Sequence, residues 1–371
     1  MKTIPVLSAG FGEGHNAAAR AVVEAFNRLH YGEYQAEFQD LFLNAYGEKK
    51  FRGQRELYIN TANRWPLLWG VAYHALDRLP VVQAALPFLG PVARQYKDVA
   101  YTNVPPLVVS TYPLYSHFHR RLWRHNDVRR PRIITVVTDS ISVNRAWHSA
   151  FSDWYIAPNQ ATADIMIRQG VPAAQVRALG FPVSSRLRQA VAKSQGGRPK
   201  VLVMLNPGRS DAVALAKAIA TLDVELTVTV GKDANFLQEI VRAVDGRARV
   251  IGWTDRLPEL ILESDLVLTK AGGATTHECV AAGVPLIFTQ VIPGQEAGNA
   301  RLVVEGGAGA YGLTPESARK AVEFALKDNG TIWKAWRAAM PALGDPLGAD
   351  RVAELMIREI QLLGERRSAI R

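Results

Sequence analysis

Only one of the 371 residues is a cysteine, Cys279, and this scarcity excludes a disulfide framework and any cysteine-based zinc site. A lone thiol fits a reducing compartment, and we expect Cys279 to be a small buried side chain. The sequence also lacks a run of the roughly 18–20 apolar residues that a membrane span needs. Residues 1–10 lack the pattern of a signal peptide. We therefore expect a protein on the cytoplasmic side that contacts membranes only peripherally.

The charge is unbalanced, with a net value of +10. Nucleic acid, anionic lipid and phosphorylated substrates are the partners that such an excess of positive charge attracts. The sequence contains no paired Cys/His finger and no aromatic RNA-binding signature, so we expect no nucleic-acid partner. Phosphates and an anionic membrane surface are the favoured partners. A length of 371 residues with 48% hydrophobic side chains predicts a folded protein of two domains.

Short apolar runs alternate with helical stretches in both halves of the chain. The runs that predict buried strands are 4–7, 107–109, 133–137, 154–157, 200–205, 226–230, 249–251, 266–268 and 286–289. Strands separated by helices indicate βαβ units and a parallel sheet, hence an α/β protein. The helix after the first strand is predicted by apolar side chains that share one face. They are Ala18, Ala21, Val22, Ala25, Phe26 and Leu29.

A basic stretch rich in glycine and proline, 193–199, separates the two sets of strands and predicts an interdomain linker. We expect an N-terminal domain over 1–192 and a C-terminal domain over 200–349, each a doubly wound, Rossmann-like unit. Two such domains facing across a cleft would present the carboxyl ends of both sheets to ligands. An amphipathic helix over about 350–371 is expected to pack back on the N-terminal domain.

Residues 57–91 do not follow the alternation of strands and helices. This segment is rich in aromatic and aliphatic side chains, and arginines lie within it and beside it. Such a mixture suits the headgroup level of a bilayer. An ordinary helical subdomain with its own small core explains the same composition, and the sequence leaves both interpretations open.

The first strand ends in a glycine-rich turn, Ser8-Ala9-Gly10-Phe11-Gly12-Glu13-Gly14-His15. Glycines at a strand-to-helix turn let the backbone approach a ligand, and the following helix N-terminus favours an anion. His15 stands where a dinucleotide fingerprint needs its third glycine, so NAD binding is disfavoured. A neutral imidazole at His15 is suited to take a proton from an attacking hydroxyl, although a His that merely caps the helix fits the same position.

Thr138-Asp139 closes another strand of the N-terminal half, so Asp139 is expected at the same end of the sheet as His15. A carboxylate there would orient the base or activate an acceptor. The alternative is an Asp that caps a helix or a turn.

The C-terminal half contains the richest constellation. The strand ending in Thr269 runs into Lys270-Ala271-Gly272-Gly273-Ala274-Thr275-Thr276-His277-Glu278, whose glycines and backbone N–H groups suit a diphosphate. Glu278, one turn into the helix, is placed to accept two ribose hydroxyls. The stretch Pro293-Gly294-Gln295-Glu296-Ala297-Gly298-Asn299 supplies groups that bind sugar hydroxyls, and Trp253, in Gly252-Trp253-Thr254, is suited to cover a base.

These stretches resemble the monogalactosyldiacylglycerol synthase and processive diacylglycerol glucosyltransferase family, relatives of the peptidoglycan GlcNAc transferase that makes lipid II. The resemblance rests on Gly12-x-Gly14-His15, on Thr138-Asp139 with Trp147 and Gly180-Phe181-Pro182-Val183, and on the Lys270 to Asn299 stretches. Trp65-Pro66-x-Leu68-Trp69-Gly70 resembles the family's acceptor and membrane region. The resemblance covers nearly the full chain.

The resemblance implies a GT-B fold, a UDP-sugar donor in the C-terminal domain, a lipid acceptor in the N-terminal domain and inversion at the anomeric carbon. It implies no cofactor and no metal, in keeping with the lack of an Asp-x-Asp motif. His15 and Asp139 are then the catalytic candidates. The donor-binding set is Gly14, Gly208, Arg209, Trp253, Thr254, Lys270, Gly272, Gly273, Thr275, Glu278, Gln295, Glu296 and Asn299. The acceptor and membrane set is Trp65, Pro66, Leu68, Trp69, Tyr112 and Trp147.

Three positions depart from the family pattern. Asn144 stands where plant-type members have a His, so if that group is essential elsewhere, His15, Asp139 or His148 must replace it or the acceptor differs. Ser184 stands where relatives have an Arg, with Arg186 the nearest substitute. The glycine turn that opens the C-terminal domain is Asn206-Pro207-Gly208-Arg209-Ser210 here, and Arg209 adds a candidate phosphate contact.

We therefore expect an enzyme of glycolipid synthesis, an inverting hexosyltransferase that moves galactose or glucose from a UDP-sugar to diacylglycerol or a similar lipid hydroxyl. Two alternatives from other classes stay open. One is an isomerase of the UDP-GlcNAc 2-epimerase type, which needs no lipid. The other is a non-catalytic sugar-nucleotide-binding protein, motivated by Asn144 and Ser184.

Overall fold

The computed structural model describes residues 1–29, 32–64, 81–102, 104–123, 127, 130–188, 197–206, 209–294 and 296–370. The chain divides into two compact units, Met1–Ser185 with Asp345–Arg371, and Arg186–Gly344. Each unit has its own six-stranded sheet in which every described pairing is parallel. The predicted α/β class with two parallel sheets is therefore confirmed.

The first unit has the strand order β2-β1-β3-β4-β5-β6. Its strands are β1 (Lys2–Ser8), β2 (Tyr34–Asp40), β3 (Leu107–Ser110), β4 (Arg132–Val136), β5 (Trp154–Ala157) and β6 (Val176–Ala178). Its helices are α1 (Glu13–Leu29), α2 (Leu41–Arg64, with a kink at Gly47), α3 (Val81–Ala85), α4 (Gly90–Tyr101), α5 (Leu114–Leu122) and α6 (Gln160–Arg168). The order reverses between β1 and β3, and ligands bind beside the carboxyl ends of strands at such a switch point.

The two faces of the first sheet carry separate cores because successive strand residues point to opposite faces. Ile4 and Val6 face α1 and the C-terminal helix (Gly348–Ile370), which contributes fully buried Val352 and Met356. Leu7 faces the other way, into a cluster with side chains from α2, α4 and α5. The C-terminal helix packs along α1, where Arg28 and Asp350 form an ion pair of 2.6 Å.

The second unit has the strand order β12-β11-β10-β7-β8-β9, with its switch point between β7 and β10. Its strands are β7 (Lys200–Met204), β8 (Glu225–Thr229), β9 (Ala248–Ile251), β10 (Leu266–Lys270), β11 (Leu286–Gln290) and β12 (Gly309–Tyr311). Its helices are α7 (Ala212–Ala220), α8 (Ala234–Val244), α9 (Leu257–Glu263), α10 (Gly273–Ala282), α11 (Ala297–Glu305) and α12 (Pro315–Ala339, with a non-helical break at 327–330). The C-terminal helix of the first unit is α13.

Local signals in the second unit place its helices. Asp233 accepts hydrogen bonds of 3.0 Å from the N–H groups of Asn235 and Phe236 and so begins α8. Thr314 and Ser317 form a reciprocal capping box at the start of α12. Gly283, with φ +66°, ends α10 in the left-handed conformation that glycine adopts at low cost. These signals leave α10 between the carboxyl end of β10 and the start of β11.

All nine predicted runs overlap strands, with residues 137, 205 and 230 falling one position beyond them, but β2, β6 and β12 were not predicted. The predicted apolar face of α1 is confirmed from Ala18 to Phe26, whereas Leu29 is 37% exposed at the end of the helix.

The segment 57–91 is described only in part, because residues 65–80 lie outside the described ranges. Leu86 is buried and joins the cluster between α2 and α4, which fits the interpretation as a helical subdomain. Phe88 is 85% exposed, as a surface contact would require. Within the described ranges, no helix is both long enough and apolar enough to cross a bilayer.

Candidate functional site

The glycine-rich turn after β1 is held by a carboxylate that the sequence analysis missed. Asp40, at the end of β2, accepts a 2.8 Å hydrogen bond from the N–H of Gly10 and further bonds from Phe42 and Leu43 at the start of α2. A Cβ on Gly10 would lie 2.8 Å from the Oδ2 atom of Asp40, so the turn requires glycine there. Asp40 therefore joins the turn that leads to His15 to the start of α2.

His15 lies on the first turn of α1, at the switch point between β1 and β3. Its Nδ1 is 2.8 Å from the hydroxyl oxygen of Thr138, which follows β4. Its ring contacts those of Tyr112, edge to face at 5.2 Å, and Trp147, at 5.9 Å. Burial lowers the pKa of His15 to about 4, so the imidazole is neutral at pH 7. The described part of the chain offers its Nε2 no hydrogen-bond partner.

Asp139 lies next to Thr138, and its Oδ2 accepts a 2.7 Å hydrogen bond from the indole N–H of Trp147. Burial raises the pKa of Asp139 to about 6, and the bond from Trp147 opposes that rise. Trp147 is 1% exposed, so it contacts both His15 and Asp139 from inside the unit instead of presenting its ring to a membrane. The structure thus brings the two catalytic candidates against one buried indole.

The departure at Asn144 has a structural role. Its side-chain oxygen accepts a 2.9 Å bond from the N–H of Ala146 and caps the short 3₁₀ turn Arg145–Trp147. His117 supports the same turn through a 3.0 Å contact between its Nε2 and the carbonyl of Ala146. His148, named as a possible substitute base, is 2.8 Å from the amide oxygen of Gln169. Of the substitutes that the sequence proposed, only His15 and Asp139 lie together at the switch point.

Four residues of the predicted acceptor set, Trp65, Pro66, Leu68 and Trp69, lie outside the described residues. Tyr112 of the same set is partly buried and packs against His15 and against Phe11, at 6.1 Å. Gly14 occupies the first turn of α1 beside His15.

In the second unit, α10 begins at Gly273 directly after β10, and Gly272 caps it without a side chain. The first N–H groups of such a helix have no intrahelical partner, so they suit an anion. Thr275 lies in the same first turn. A Cβ on Gly272 would come within 3.0 Å of the ammonium of Lys270, which places that cation at the start of the helix.

Lys270 forms an ion pair with Oε1 of Glu296. Glu296 is only 4% exposed, and its Oε2 accepts a 3.1 Å bond from the N–H of Ile292. Asn299 is also buried and donates a 3.0 Å bond to the carbonyl of Ala271. Glu296 and Asn299, both predicted to bind donor, thus hold the Lys270–Gly272 stretch from the side of α11.

Glu278 is partly buried on α10, and the described residues give its carboxylate no hydrogen bond and no ion pair. Burial raises its pKa to about 7. A partly buried carboxylate without a partner is costly to the fold, and such costs concentrate where a ligand supplies the missing donors.

Two arginines named in the sequence analysis are engaged elsewhere. Arg209 is 8% exposed; it pairs with Asp211 and donates a 2.6 Å bond to the carbonyl of Thr289, so it joins the ends of β7 and β11. Arg186 binds Glu259 through two bonds of 2.7 Å and 2.6 Å. Gly208 and Gln295 lie outside the described residues.

Trp253 follows β9 and is 64% exposed, which leaves its ring available to a planar ligand. The ammonium of Lys232, after β8, lies 4.9 Å from the centre of that ring. The hydroxyl of Thr254 accepts a 3.1 Å bond from the N–H of Arg256 and orders the same loop. Lys232 was not named from the sequence, because a single lysine in a loop gives no distinguishing pattern.

Among the side chains that the structure describes, no group of three or more His, Cys, Asp or Glu residues is arranged to hold a metal ion.

Two family models match the chain. The model for monogalactosyldiacylglycerol synthase matches residues 15–183, and the model for the glycosyltransferase family 28 C-terminal domain matches residues 207–328. Chloroplastic monogalactosyldiacylglycerol synthase 3 of Arabidopsis thaliana is 24% identical over 89% of this chain and 75% of its own length. Synthase 1 of the same plant is 27% identical over 86% of this chain and 64% of its own length. The chain thus spans about two thirds to three quarters of these relatives.

Solved structures support the fold. The S. aureus MnaA–UDP structure superposes with a TM-score of 0.64 at 13% identity, covering 98% of both chains. Acinetobacter baumannii MurG gives 0.62 at 12% identity, covering 96% of this chain and 100% of its own. The predicted GT-B fold is therefore confirmed. The two family models, the relatives and the fold agree with the resemblance to monogalactosyldiacylglycerol synthases found in the sequence.

Proposed function

We propose that the protein transfers a hexose, galactose or glucose, from a UDP-sugar to the hydroxyl of diacylglycerol or a similar lipid, with inversion at the anomeric carbon. The observation that carries this proposal is the neutral imidazole of His15, held through Nδ1 by Thr138 at the switch point of the domain matched by the synthase model. A neutral imidazole with its second nitrogen available is the form that accepts a proton from a hydroxyl. The family match favours this transferase over the isomerase and the non-catalytic alternative.

The first unit handles the acceptor in this proposal. When Nδ1 carries the ring proton, it donates a hydrogen bond to the hydroxyl of Thr138. Nε2 then keeps its lone pair and can accept the proton of the acceptor hydroxyl. Asp139 is ionised above about pH 6 and stabilises the imidazolium that forms. Trp147 fixes that carboxylate through its indole N–H.

The second unit handles the donor. The open N–H groups at the start of α10 and the ammonium of Lys270 bind the diphosphate. Glu278 accepts the two ribose hydroxyls, whose O–H groups supply the donors that its carboxylate lacks in the free protein. Trp253 covers the uracil ring with its exposed face.

In the chemical step, one bond to the anomeric carbon forms while another breaks. The acceptor oxygen forms a bond to the anomeric carbon while its proton moves to Nε2 of His15. The bond between the anomeric carbon and the diphosphate oxygen breaks, and UDP leaves with the electron pair. The start of α10 and Lys270 stabilise the negative charge that develops on UDP. The proton on His15 then passes to solvent, which restores the neutral base.

We also propose that the enzyme works on the cytoplasmic side as a peripheral protein at an anionic membrane. The net charge of +10 supports this. Each basic side chain near an anionic surface contributes about 1 kcal/mol. Binding to anionic vesicles should therefore weaken as salt rises, and neutral vesicles should bind less protein.

The experiment is a transfer assay with radiolabelled UDP-glucose or UDP-galactose and micelles of diacylglycerol with anionic phospholipid. A labelled product in the organic phase, with one donor preferred, supports the proposal. His15→Ala should abolish transfer while UDP still binds, and His148→Ala, which removes a histidine bound to Gln169, serves as the matched control. Normal turnover by the His15 variant would refute the assignment of the base, and failure of both donors would refute the reaction.

A further inference from the structure

Lys270 and Glu296 are both predicted to bind the donor, and the proposal above gives Lys270 the diphosphate, yet in the structure the two side chains bind each other. While the pair is intact, Oε1 of Glu296 accepts from the ammonium of Lys270 and Oε2 accepts from the N–H of Ile292, so each side chain has fewer hydrogen-bonding positions left for the donor.

The two partners of the pair differ in freedom. The side chain of Lys270 is 35% exposed at the start of α10, on a flexible stem. The side chain of Glu296 is 5% exposed and is anchored by its bond from Ile292. Any ligand that breaks the pair will therefore move Lys270 and leave the carboxylate of Glu296 in place.

We propose that the Lys270–Glu296 pair is an exchange switch that links recognition of the diphosphate to recognition of the hexose. This inference rests on the proposed UDP-sugar donor. The diphosphate takes the ammonium of Lys270, and the carboxylate of Glu296, released by that exchange, accepts a hydrogen bond from a hexose hydroxyl. In the free protein each residue keeps the other satisfied.

The exchange has a consequence for the product. A diphosphate at the start of α10 attracts Lys270 more strongly than one carboxylate does, because its charge is larger and the helix N-terminus favours it. UDP alone leaves the buried Glu296 without a cation, and a buried charge without a partner is costly. The intact UDP-hexose supplies a hydroxyl in its place. The pair therefore favours the donor over UDP and promotes release of the product.

The test compares UDP with UDP-glucose and UDP-galactose by calorimetry. Glu296→Gln keeps the shape and the bond from Ile292 but removes the charge that must be abandoned. UDP should bind this variant about fivefold more tightly than wild type, because no ion pair has to be broken. The preferred UDP-hexose should gain no affinity. The affinity ratio between that donor and UDP should therefore fall about fivefold or more.

The cycle is completed with Lys270→Met and the double variant. Lys270→Met should weaken UDP and UDP-hexose alike, and adding Glu296→Gln to it should bring no further gain for UDP. The double variant leaves no buried unpaired charge, so it keeps the comparison possible if a single variant folds poorly. Glu305→Gln, at the end of the helix α11 that begins directly after Glu296, removes a carboxylate in an exposed pair with Arg301 and is the control for removing one negative charge.

The outcomes separate the two proposals. Failure of wild-type protein to bind UDP or either UDP-hexose would overturn the proposed donor itself. If wild type binds them but Glu296→Gln weakens UDP, or changes UDP and UDP-hexose by the same factor, the exchange switch is wrong while the donor stands. If Glu296→Gln and Glu305→Gln raise the affinity for UDP by the same factor, the exchange switch is also wrong.

Discussion

Replacing Glu278 by Gln should stabilise the protein and lower its affinity for the UDP-sugar donor. Burial without a partner raises the pKa of Glu278 from 4.5 to about 7. A carboxyl whose folded pKa is raised contributes most stability below its unfolded pKa of 4.5, and that contribution is lost as the pH rises through about 7. A rise of the pKa from 4.5 to about 7 corresponds to at most about 3 kcal/mol of folding free energy, because the side chain is only partly buried. Glutamine has no charge to bury and escapes this cost.

Thermal melting of wild type and Glu278→Gln near pH 5 and near pH 8.5 measures this effect. The stability gain of the variant should be small at the lower pH and approach at most about 3 kcal/mol, or about 4 °C in Tm for a chain of 371 residues, at the higher one. Glu239→Gln, an exposed glutamate on α8, is the control and should show no such growth with pH. A stability gain that is the same at both pH values would refute the argument that burial of the ionised Glu278 side chain destabilises the fold.

Donor affinity gives a second arm of the same test. Ribose hydroxyls bind the ionised carboxylate, so wild type should bind UDP-glucose about tenfold more tightly as the pH rises from about 6 to about 8.5. UDP-glucose is the suitable probe because its diphosphate has no group that titrates in this range. Glu278→Gln should bind more weakly at high pH and lose the dependence. Equal pH profiles for the two proteins would show that Glu278 does not contact the nucleotide.

Three further predictions follow from the contacts. Trp147→Phe removes the bond that holds the pKa of Asp139 down at about 6, so the acid limb of the kcat/KM profile should move upward by about one pH unit, and an unmoved limb would mean that Asp139 does not set it. Gly10→Ala places a Cβ 2.8 Å from Asp40 and should lower the free energy of unfolding in denaturant by about 1–3 kcal/mol. Gly12→Ala, whose Cβ would have no atom within 4 Å, should lower it by less than about 1 kcal/mol, and equal effects of the two variants would contradict the close approach at Gly10. Trp253→Ala should weaken UDP about tenfold with little change in Tm, since the side chain is 64% exposed, and unchanged affinity would remove Trp253 from the base site.

The sequence predicted the central strands well and the edges poorly, for a physical reason. Central strands of a parallel sheet are buried on both faces, so their sequences are continuous apolar runs such as 266–268. β2, an edge strand, has the sequence Tyr-Gln-Ala-Glu-Phe-Gln-Asp and a mixed burial pattern. β6 and β12 are also edges of only three residues. Gly309 in β12 is required by its neighbour, since a Cβ there would lie 2.1 Å from the carbonyl oxygen of Leu286, which no local pattern reveals.

Because β2 was not predicted, the role of Asp40 was not predicted either. Asp40 ends that strand and accepts a hydrogen bond from the N–H of Gly10, so the residue that holds the glycine-rich turn could be identified only from the structure. Site residues that directly follow predicted strands were easier to place, because the carboxyl ends of parallel strands lie at the same edge of a sheet. His15 and Asp139 were placed at one end of the sheet for that reason. Their shared contact with Trp147 joins positions that the sequence separates by more than 100 residues.

Residue type led to a set of donor-site side chains that stays a prediction, and it did not indicate what each side chain does in the free protein. Arg209 and Glu296 were named because cations suit phosphates and carboxylates suit sugar hydroxyls. Buried charges need partners, however, and in the free protein each of these finds one nearby: Asp211 for Arg209 and Lys270 for Glu296. Glu278 is the exception, since the described residues give it no partner and its pKa rises instead. The residue that the fold leaves unsatisfied is therefore the one that a ligand has most to gain by meeting, whereas a residue already paired must first exchange its partner. On this reasoning a substitution at Glu278 reports directly on donor binding, while substitutions at Lys270 or Glu296 are interpretable only as a pair.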